Sequence, residues 1–582
     1  MNIAEEKHKT CWKHWVILLG FGFLFLMVGN GLFNLTNPDE IFYVQTAHEM
    51  MHKQSWVTPY LFGEPQFEKP IFLYWCLRLA FLPAGVSPAA ARFFPSLFGI
   101  LGICAVYLLG TIGFKNARKS FWASLILMSS ALYVGLSRTV FTDMMFSVQI
   151  LLALLSFYWG YEQKDKRKPA ILLFFVFSAL AVLTKGPLGF VLPGTIVIIF
   201  LLLRGEFRAF LGRPALMGGL LLFGALAIPW YAWMIVHYGT AFTHEFFIND
   251  HVRRLLEAEH SGNDNWYFYL MCMIGGVFPW SLFLVAAFAF WAVAMKRNRT
   301  PFRIFLGIWV LVVWGVFQVG HSKLASYIFP LFPALGLLIA DFLIEAVSSD
   351  QKRRILLLAT GGTLLLLVFT PLGYLPFRNK SIVQALITPA MGRALILAFG
   401  AFVLIAIWAV INFVRRRNPA VPLLFVLPVL LVLAGSQSDL LDPLVSSSRA
   451  CETWMAKYSI QGTILCSKGN ARAIHSYTDQ KVAIVGMDGS PFFSPHPVLY
   501  FTKPEALLVF LRQQSVTYGM ILKGSIHPLD QLDPKEFHYE CLDVIGNQYL
   551  VKIESLAGIT GIAMKTTKPH SPILRDKKTG NL

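Results

Sequence analysis

The sequence is poor in charged residues. Asp, Glu, Lys and Arg make up 14% of the 582 residues, whereas soluble globular proteins carry roughly 25%. The chain is instead 56% hydrophobic, with a mean hydropathy of +0.58. Apolar runs of about twenty residues recur as far as Gly435, and each can cross ~30 Å of hydrocarbon as a helix. The composition excludes a soluble globular protein and predicts an all-α polytopic membrane bundle.

Cysteine motifs for metal binding are absent as well. The seven cysteines form no CxxC pair and no Cys/His pair at zinc spacing, which argues against a structural zinc finger. Cys451, Cys466 and Cys541 lie in the C-terminal region, where any two of them can form a disulfide if that region is extracytoplasmic. The sequence leaves this pairing open.

Acidic residues are fewer than basic ones, and the net charge is +18. This excess does not indicate nucleic-acid binding, because the basic residues cluster in short loops between apolar runs, where positive charge fixes orientation. The seven clusters begin at Lys7, Lys115, Lys164, Arg204, Lys296, Lys352 and Arg415. If all of them are cytoplasmic, the runs predict about thirteen transmembrane helices, a cytoplasmic N-terminus and an extracytoplasmic C-terminal region.

The predicted organisation has three parts. Residues 1–436 form the transmembrane domain, whose outer-face loops include residues 34–89 and 237–265. Residues 437–560 alternate β-rich runs with helical patterns, which predicts an α/β domain. Residues 561–582 have the composition of a disordered tail. The predicted strands lie in Thr463–Cys466, Val482–Val485, Val498–Phe501, Tyr518–Leu522 and Tyr549–Ile553.

Acidic residues with catalytic potential concentrate in loops assigned to the outer face. Asp39 and Glu40 follow the first apolar run, and Asp143 lies at the outer end of the fourth. A carboxylate at such a position can act as a general base or orient a substrate. The alternatives are a solvated loop at Asp39 and an ordinary helix cap at Asp143.

Basic residues also occur on this face, against the positive-inside trend. They are Lys69, Lys185, Arg253, Arg254 and Lys323. An anionic partner explains their position, and the phosphate of a membrane lipid has the required charge. The alternatives are a tight turn around Lys185, a solvated amphipathic loop around Arg254 and snorkelling of Lys323 to the interface.

Several short motifs follow one another through the first 340 residues. They are Asp39-Glu40, Trp56-Val57-Thr58-Pro59, Phe67-Glu68-Lys69-Pro70, Thr142-Asp143, Thr184-Lys185-Gly186-Pro187, and Ser322-Lys323-Leu324 with Tyr327 and Pro330. In this order they resemble the GT-C glycosyltransferases. The specific resemblance is to the bacterial 4-amino-4-deoxy-L-arabinose lipid A transferase family, with protein O-mannosyltransferases as more distant relatives.

The resemblance implies a thirteen-helix bundle in the bacterial inner membrane with a periplasmic α/β domain. It implies transfer of a sugar from undecaprenyl phosphate to lipid A or another envelope acceptor, with no required cofactor. The resemblance implies that Asp39 and Asp143 line the reacting centre, and Glu40 is a further catalytic candidate beside Asp39. The implied phosphate ligands are Lys69, Arg253 or Arg254, and Tyr327, to which the predicted outer-face position adds Lys323 and Lys185. Glu68 and His251 are the implied ligands of an optional Zn, Mg or Mn ion.

Three other functions remain compatible with parts of the sequence. A lipid-sugar transporter or flippase would place ionisable residues near mid-span and break its helices there, whereas the distinctive charges here lie at one surface. A protein O-mannosyltransferase-like enzyme would use a hydroxyl acceptor. In a binding protein, the C-terminal domain would be the working part.

Overall fold

The computed structural model describes residues 11–257, 261–347, 349–373, 389–485 and 496–556. A helical bundle extends to Val445, and a smaller part built around a six-stranded sheet follows it. The predicted tail, residues 561–582, lies outside the described residues. The division into domains at residue 436 stays a prediction.

The first half of the bundle surrounds a small hairpin. Its elements are α1 (Trp12–Gly22, continued by a π-helical turn over Phe23–Met27), α2 (Asp39–His52), β1 (Tyr60–Leu61), β2 (Glu64–Pro65), α3 (Phe72–Ala84), α4 (Pro88–Ala91), α5 (Phe93–Phe114), α6 (Ala117–Met128), α7 (Ala131–Ser137), α8 (Thr142–Glu162), α9 (Arg167–Lys185), α10 (Leu188–Leu203) and α11 (Phe207–Leu211). Strands β1 and β2 are antiparallel.

The second half contains the longest helices. They are α12 (Pro214–Thr243, continued by a π-helical stretch over His244–Arg253), α13 (Arg254–Leu256), α14 (Phe268–Gly276), α15 (Ser281–Arg297), α16 (Pro301–Val319), α17 (Phe332–Val347), α18 (Asp350–Gly373), α19 (Pro389–Val414), α20 (Val426–Ser436) and α21 (Ser438–Val445). The chain bends by 86° between α20 and α21.

Local sequence chemistry explains where several helices begin and end. The Asn116 side chain accepts hydrogen bonds from the backbone N–H groups of Arg118 and Lys119 and so caps α6. Helix α9 ends at Gly186, whose φ of 99° lies in the region that glycine adopts readily. Pro187 then leads into α10. The tight turn expected there is present, and it places Lys185 in the last turn of α9.

The described residues contain many candidate membrane spans. Seven helices are long and apolar enough to cross a membrane, and ten are if each of three bent pairs counts as one span. Trp12–Met27, Phe72–Ala84 and Leu188–Leu203 are shorter apolar helices. Within the described residues, the apolar runs of the sequence are helical, which confirms the predicted helical bundle. The number of crossings stays a prediction.

A buried ion-pair cluster joins three helices at one end of the bundle. The Asp341 carboxylate on α17 lies 2.6 Å from Lys119 Nζ on α6 and 2.9 Å from Arg303 Nε on α16. Asp341 is only 2% exposed, and a buried carboxylate is tolerated only when such partners compensate its charge. The cluster therefore fixes how α6, α16 and α17 pack together.

The C-terminal part is a mixed α/β layer, as predicted. Its strands are β3 (Ile464–Cys466), β4 (Val482–Ile484), β5 (Leu499–Tyr500), β6 (Val516–Leu522), β7 (Phe537–Ile545) and β8 (Gln548–Ser555), and its helices are α22 (Ser448–Lys457), α23 (Ala471–Thr478), α24 (Pro504–Arg512) and α25 (His527–Asp530). The strand order is β5-β4-β3-β6-β8-β7, with β5, β4, β3 and β6 parallel and β8 antiparallel to both neighbours.

All five predicted strands are confirmed, and β7 is the strand that the sequence did not reveal. It lies at the edge of the sheet, and most of its residues are exposed or half-buried. An edge strand of this kind lacks the apolar alternation from which strands are recognised.

All seven cysteines lie within the described residues and are free thiols, including the buried Cys451 and Cys466.

Helix α21 contacts the first loop, and the sheet part that follows it packs against α2 through α23, whose Arg472 guanidinium lies 4.7 Å from the centre of the Phe42 ring. The Asn34 backbone N–H and side-chain amide donate to the two oxygens of Asp442 at 2.6 and 2.9 Å. The Asn37 backbone N–H donates to the carbonyl of Val445 at 2.8 Å. These contacts bring α23, and with it the Arg472 side chain, to the mouth of the bundle.

Candidate functional site

A cavity of about 500 Å³ lies where α2, the start of α8, the end of α9 and the segment before α23 meet. Its lining is formed by Pro38, Asp39, Phe42, Tyr43, Glu68, Lys69, Phe141, Thr142, Asp143, Lys185, Arg254, Leu324, Ser326, Tyr327, Lys468, Gly469 and Arg472. The volume is within the range of small-molecule sites. Seven of the residues that the sequence singled out lie here together: Asp39, Glu68, Lys69, Asp143, Lys185, Arg254 and Tyr327.

Asp39 and Glu40 are adjacent in the first turn of α2 but have different surroundings, because successive helical residues point roughly 100° apart. Asp39 is exposed and lines the cavity. Glu40 is fully buried, and its carboxylate accepts hydrogen bonds from Arg92 at 2.6 and 2.8 Å and from the backbone N–H groups of Thr36 and Val140. Glu40 therefore holds three segments together, which differs from its predicted catalytic role.

The Glu40 carboxylate is ionised despite its burial. Burial by itself raises the pKa of Glu40, but the hydrogen bonds and charge of Arg92 and the two backbone N–H groups outweigh it, so that the pKa lies below its usual range. Arg92 also donates to the backbone carbonyls of Asn30, Phe33 and Asn34. The pair thus fixes the loop that leads to Asp39.

A second group of side chains places two cations next to each other. The Asp250 carboxylate lies 2.8 Å from Lys69 Nζ and 3.2 Å from Arg254 Nε. Arg254 also contacts the Tyr327 hydroxyl at 3.2 Å. Two cations and one hydroxyl group thus lie together around a single carboxylate. Such an arrangement suits a phosphate, which binds charge-assisted donors strongly.

A third group joins the mouth of α8 to the end of α9. The Asp143 carboxylate lies 2.5 Å from Lys185 Nζ. The same ammonium lies 4.6 Å from the centre of the Tyr327 ring, within the range of a cation–π contact. The charge of Asp143 is thus compensated by a neighbouring cation.

The C-terminal part supplies the last group. Arg472 Nη2 lies 2.7 Å from His496 Nε2, and that nitrogen lies 3.8 Å from the Glu68 carboxylate. Burial and the charge of Arg472 lower the pKa of His496 to about 3, so His496 is neutral at pH 7 and accepts a hydrogen bond from Arg472. Burial raises the pKa of Glu68, although Arg472 and Lys69 partly oppose that shift.

Two predicted phosphate ligands do not line the cavity. Arg253 is exposed and pairs with Glu257 at 2.7 Å. Lys323 is buried and contacts Asp264 at 2.9 Å. Arg253 and Arg254 are adjacent on one helical stretch, so only one of the two can face the cavity. The placement of Arg253 and Lys323 with acidic partners outside it differs from the prediction.

The predicted metal ligands are not brought together in the part of the chain that the structure describes. No group of three or more His, Cys, Asp and Glu side chains there is placed to hold a metal ion. The side chain of His251 lies outside the described residues. The Glu68 carboxylate has Arg472 and Lys69 among its charged neighbours. Metal binding at Glu68 and His251 stays a prediction.

Two residues that line the cavity, and one that lines the pocket beside it, were not identified as site residues from the sequence. Asp250 lines the adjoining pocket, and its spacing of four residues from Arg254 is the one sequence signal for it. Lys468 and Arg472 come from the sheet part, more than 400 residues after Asp39 in the chain. No local pattern links them to the loop before α2, and only the docking of α23 against α2 brings them there.

A smaller, mainly apolar pocket of about 160 Å³ adjoins the cavity. Leu188, Val316 and Phe317 contribute to its wall. Lys69, Lys185, Arg254 and Tyr327 line both spaces. The basic residues therefore form the boundary between a polar space and an apolar one.

Comparison with known proteins places this arrangement in a known fold. The sequence model of the dolichyl-phosphate-mannose-protein mannosyltransferase family matches residues 15–242. The crystal structure of ArnT from Cupriavidus metallidurans bound to undecaprenyl phosphate superposes with a TM-score of 0.73 at 19% identity, covering 95% of this chain and all of that one. The chain has the GT-C fold. The apolar helices and this likeness make it a multi-pass membrane protein.

Sequence relatives support the predicted resemblance, which is thereby confirmed. An uncharacterized protein of Aquifex aeolicus is 31% identical over 53% of this chain and 59% of its own length. The undecaprenyl phosphate-alpha-4-amino-4-deoxy-L-arabinose arabinosyl transferase 2 of Pseudomonas fluorescens is 28% identical over 59% of this chain and 58% of its own length. The match spans about three-fifths of these curated relatives. A Pectobacterium carotovorum arabinosyl transferase is 29% identical over 66% of this chain and 70% of its own.

Proposed function

We propose that the chain is a glycosyltransferase that moves a sugar from undecaprenyl phosphate to an envelope acceptor at the periplasmic face of the bacterial inner membrane. In this proposal the N-terminus is cytoplasmic and the sheet part is periplasmic. The single observation that carries the proposal is the position of Lys69, Arg254 and Tyr327 on the boundary between the polar cavity and the apolar pocket. A lipid-linked sugar phosphate has a polar sugar, an anionic phosphate and an apolar chain in the same order as the polar cavity, the basic boundary and the apolar pocket.

The proposed donor binds across this boundary. Its phosphate contacts Lys69, Arg254 and Tyr327, its polyprenyl chain leaves past Leu188 and Phe317, and its sugar occupies the cavity. The similarity to arabinosyl transferases and to an ArnT crystallised with undecaprenyl phosphate supports this donor class. The Asp39 carboxylate suits an aminosugar such as 4-amino-4-deoxy-L-arabinose, whose ammonium group is cationic.

The proposed reaction is one inverting displacement. The acceptor oxygen forms a bond to the anomeric carbon, while the bond from that carbon to the phosphate oxygen breaks and its electron pair stays on polyprenyl phosphate. Lys69 and Arg254 stabilise the negative charge that develops on the leaving group. A hydroxyl acceptor would pass its proton to Asp39 or Asp143, the two aspartates that line the cavity.

The proposed acceptor is anionic, such as a phosphate of lipid A. Lys468 and Arg472 line the cavity from the sheet part and add two positive charges to those of the proposed donor phosphate ligands. A phosphate acceptor is already a nucleophile, so Asp39 would then orient the sugar. The alternative is a hydroxyl acceptor, as in an O-mannosyltransferase-like enzyme. Offering the protein a phosphate acceptor and a hydroxyl acceptor together would show which of them receives the sugar.

Transfer by the purified protein is the direct test. We expect the full chain in detergent to move labelled 4-amino-4-deoxy-L-arabinose from undecaprenyl phosphate to lipid A, with the product identified by mass spectrometry. Lys69→Met is expected to weaken donor binding by roughly 10- to 100-fold, because it removes a charge-assisted contact worth ~1.5–3 kcal/mol. Binding is measured by displacement of a fluorescent polyprenyl phosphate.

The matched control is Lys53→Met. Lys53 is exposed at the end of α2 and does not line the cavity, so donor binding should equal that of the wild type. Unchanged donor binding in the Lys69 variant would contradict the proposed phosphate site. Movement of the intact donor across a vesicle membrane without sugar transfer would favour the flippase alternative.

Donor binding is also expected to depend on pH through Glu68. The raised pKa of Glu68 keeps its carboxyl neutral to a higher pH than usual, whereas the donor phosphodiester stays an anion throughout. As the pH rises through that pKa, the new negative charge opposes the phosphate, and donor affinity should fall roughly tenfold, as expected for one charge interaction of ~1.4 kcal/mol. Titration calorimetry of Glu68→Gln should show no such fall. A parallel fall in the variant would assign it to another group.

A further inference from the structure

A separate groove lies at the far end of the bundle from the functional cavity. It encloses about 190 Å³ between the end of α8, the start of α9, α10, α11 and the start of α12. Aromatic rings dominate its wall, including Phe157, Phe174, Phe190, Phe207 and Phe210. None of its lining residues belongs to the cavity proposed for the sugar.

The groove has the length of a lipid chain segment. Along α10 it is lined from Phe190 to Leu201, which is a distance of roughly 16 Å at 1.5 Å per residue. Gly194 lies midway, and a Cβ added there would meet nothing within 4 Å. An extended hydrocarbon chain therefore has open space against the α10 backbone.

The mouth of the groove is basic. Arg167 and Arg213 both line it, together with Glu206. Glu206 accepts a hydrogen bond from Tyr161 at 3.2 Å, and Arg167 Nε donates to the Gly160 carbonyl at 3.1 Å. In the described part of the chain, Arg213 Nε is buried and contacts no hydrogen-bond acceptor. Two guanidinium groups and one carboxylate leave a net positive charge beside an unsatisfied donor.

We infer that this groove is a binding site for one anionic phospholipid of the adjacent leaflet. An acyl chain lies along α10 and Gly194, and the phosphate contacts Arg167 and Arg213. Charge complementarity selects the occupant, because an uncharged chain alone would leave the net positive charge of Arg167, Arg213 and Glu206 uncompensated, and basic pockets between helices recognise anionic headgroups. Helix α11 covers the chain through Phe207 and Phe210.

Native mass spectrometry of the purified full chain in detergent tests this inference. The probes are phosphatidylglycerol and phosphatidylcholine with identical acyl chains, and soluble glycerol 3-phosphate as a competitor. The wild type is expected to bind one phosphatidylglycerol about tenfold more tightly than phosphatidylcholine, the ratio that one charge-assisted contact of ~1.4 kcal/mol supplies. Glycerol 3-phosphate should not displace it.

Two groove variants separate the headgroup from the chain. Arg213→Gln is expected to reduce phosphatidylglycerol binding to the phosphatidylcholine level. Gly194→Leu fills the groove and should weaken both lipids about equally. The controls are Arg208→Gln on α11 and Gly400→Leu on α19; Arg208 is exposed, Gly400 has open space around it, and neither lines the groove.

Several outcomes would overturn the inference. Equal affinity of the wild type for the two lipids would show that the arginines do not recognise the headgroup. Displacement of the lipid by glycerol 3-phosphate would show that the apolar groove does not contribute to binding. Loss of binding in the control variants to the same extent would assign the lipid to the general surface. The wild-type comparison decides the first two points even if a variant does not fold.

Discussion

Asp39→Asn is expected to lower the kcat of sugar transfer to a hydroxyl acceptor by ~10²–10⁴-fold, the usual contribution of a general base. The amide keeps the shape of the carboxylate but can neither accept the acceptor proton nor carry a negative charge. Asp143 lines the same cavity and is paired with Lys185, so the size of the loss measures how much of the proton transfer Asp39 carries. Donor affinity should fall less than kcat, because the variant loses the contact to the sugar ammonium but keeps the proposed phosphate ligands, which belong to other segments.

The size of this loss also depends on the acceptor. A phosphate acceptor needs no base, so Asp39 would only orient the sugar, and misplacement of that kind lowers rates by roughly 10²-fold. Comparing the Asp39→Asn variant on lipid A and on a hydroxyl acceptor therefore distinguishes the two roles. Single-turnover rates with saturating donor separate this effect from binding.

The matched control is Asp439→Asn. Asp439 is exposed at the start of α21 and lies outside the cavity. Its variant should transfer at the wild-type rate. Wild-type transfer by Asp39→Asn, with the same thermal unfolding midpoint, would contradict a catalytic Asp39 and leave the binding-protein alternative as the better account.

Glu40→Gln is expected to destabilise the fold by ~3–5 kcal/mol, the range for a buried ion pair that loses one partner. The variant leaves the Arg92 guanidinium buried at 4% exposure with no compensating charge. Arg92 also donates to backbone carbonyls of the loop before α2. Loss of the ion pair should therefore disturb that loop and the position of Asp39. Both the unfolding midpoint and transfer should fall.

The sign of the pH dependence follows from the lowered pKa of Glu40. A carboxylate with a depressed pKa in the folded state contributes stability above its unfolded value, near 4.5, and this contribution is lost as the pH falls through the folded pKa. The wild type should therefore lose stability in acid below about pH 4.5. Glu40→Gln should lack that part of the acid dependence.

Scanning calorimetry of the full chain in detergent measures both effects. Adding Arg92→Met to Glu40→Gln removes the uncompensated charge, so the double variant should be less destabilised than the sum of the two single variants. Glu64→Gln, at an exposed position between α2 and α3, is the control. An unfolding midpoint for Glu40→Gln equal to that of the control would contradict the buried pair.

The sequence by itself determined the class of protein. Long apolar runs in hydrocarbon form helices, because their backbone N–H and C=O groups must hydrogen-bond to each other. The alternation of β-rich runs after residue 436 was sufficient for an α/β layer, and five of its six strands were recognised. The edge strand β7 was missed because half-exposed residues carry no apolar period.

Which residues form the cavity was only partly readable. Lys69 and Lys185 stood out because basic residues are rare on the predicted outer face, and Gly186 with Pro187 marked the turn that ends α9. The sequence could not separate Asp39 from Glu40, or Arg253 from Arg254. In both pairs the helical rotation between neighbours turns one side chain to the cavity and the other away.

Only the tertiary structure brought Arg472 and Lys468 to Asp39, and only it assigned Asp250 to both Lys69 and Arg254. Local patterns report on residues within a few turns of each other, because periodicity and capping act through neighbouring backbone. Contacts across more than 400 residues depend on how the sheet part docks on α2, and that docking arises from the summed packing of both surfaces. Composition and local spacing thus determined the architecture, whereas long-range packing decided the chemistry of the site.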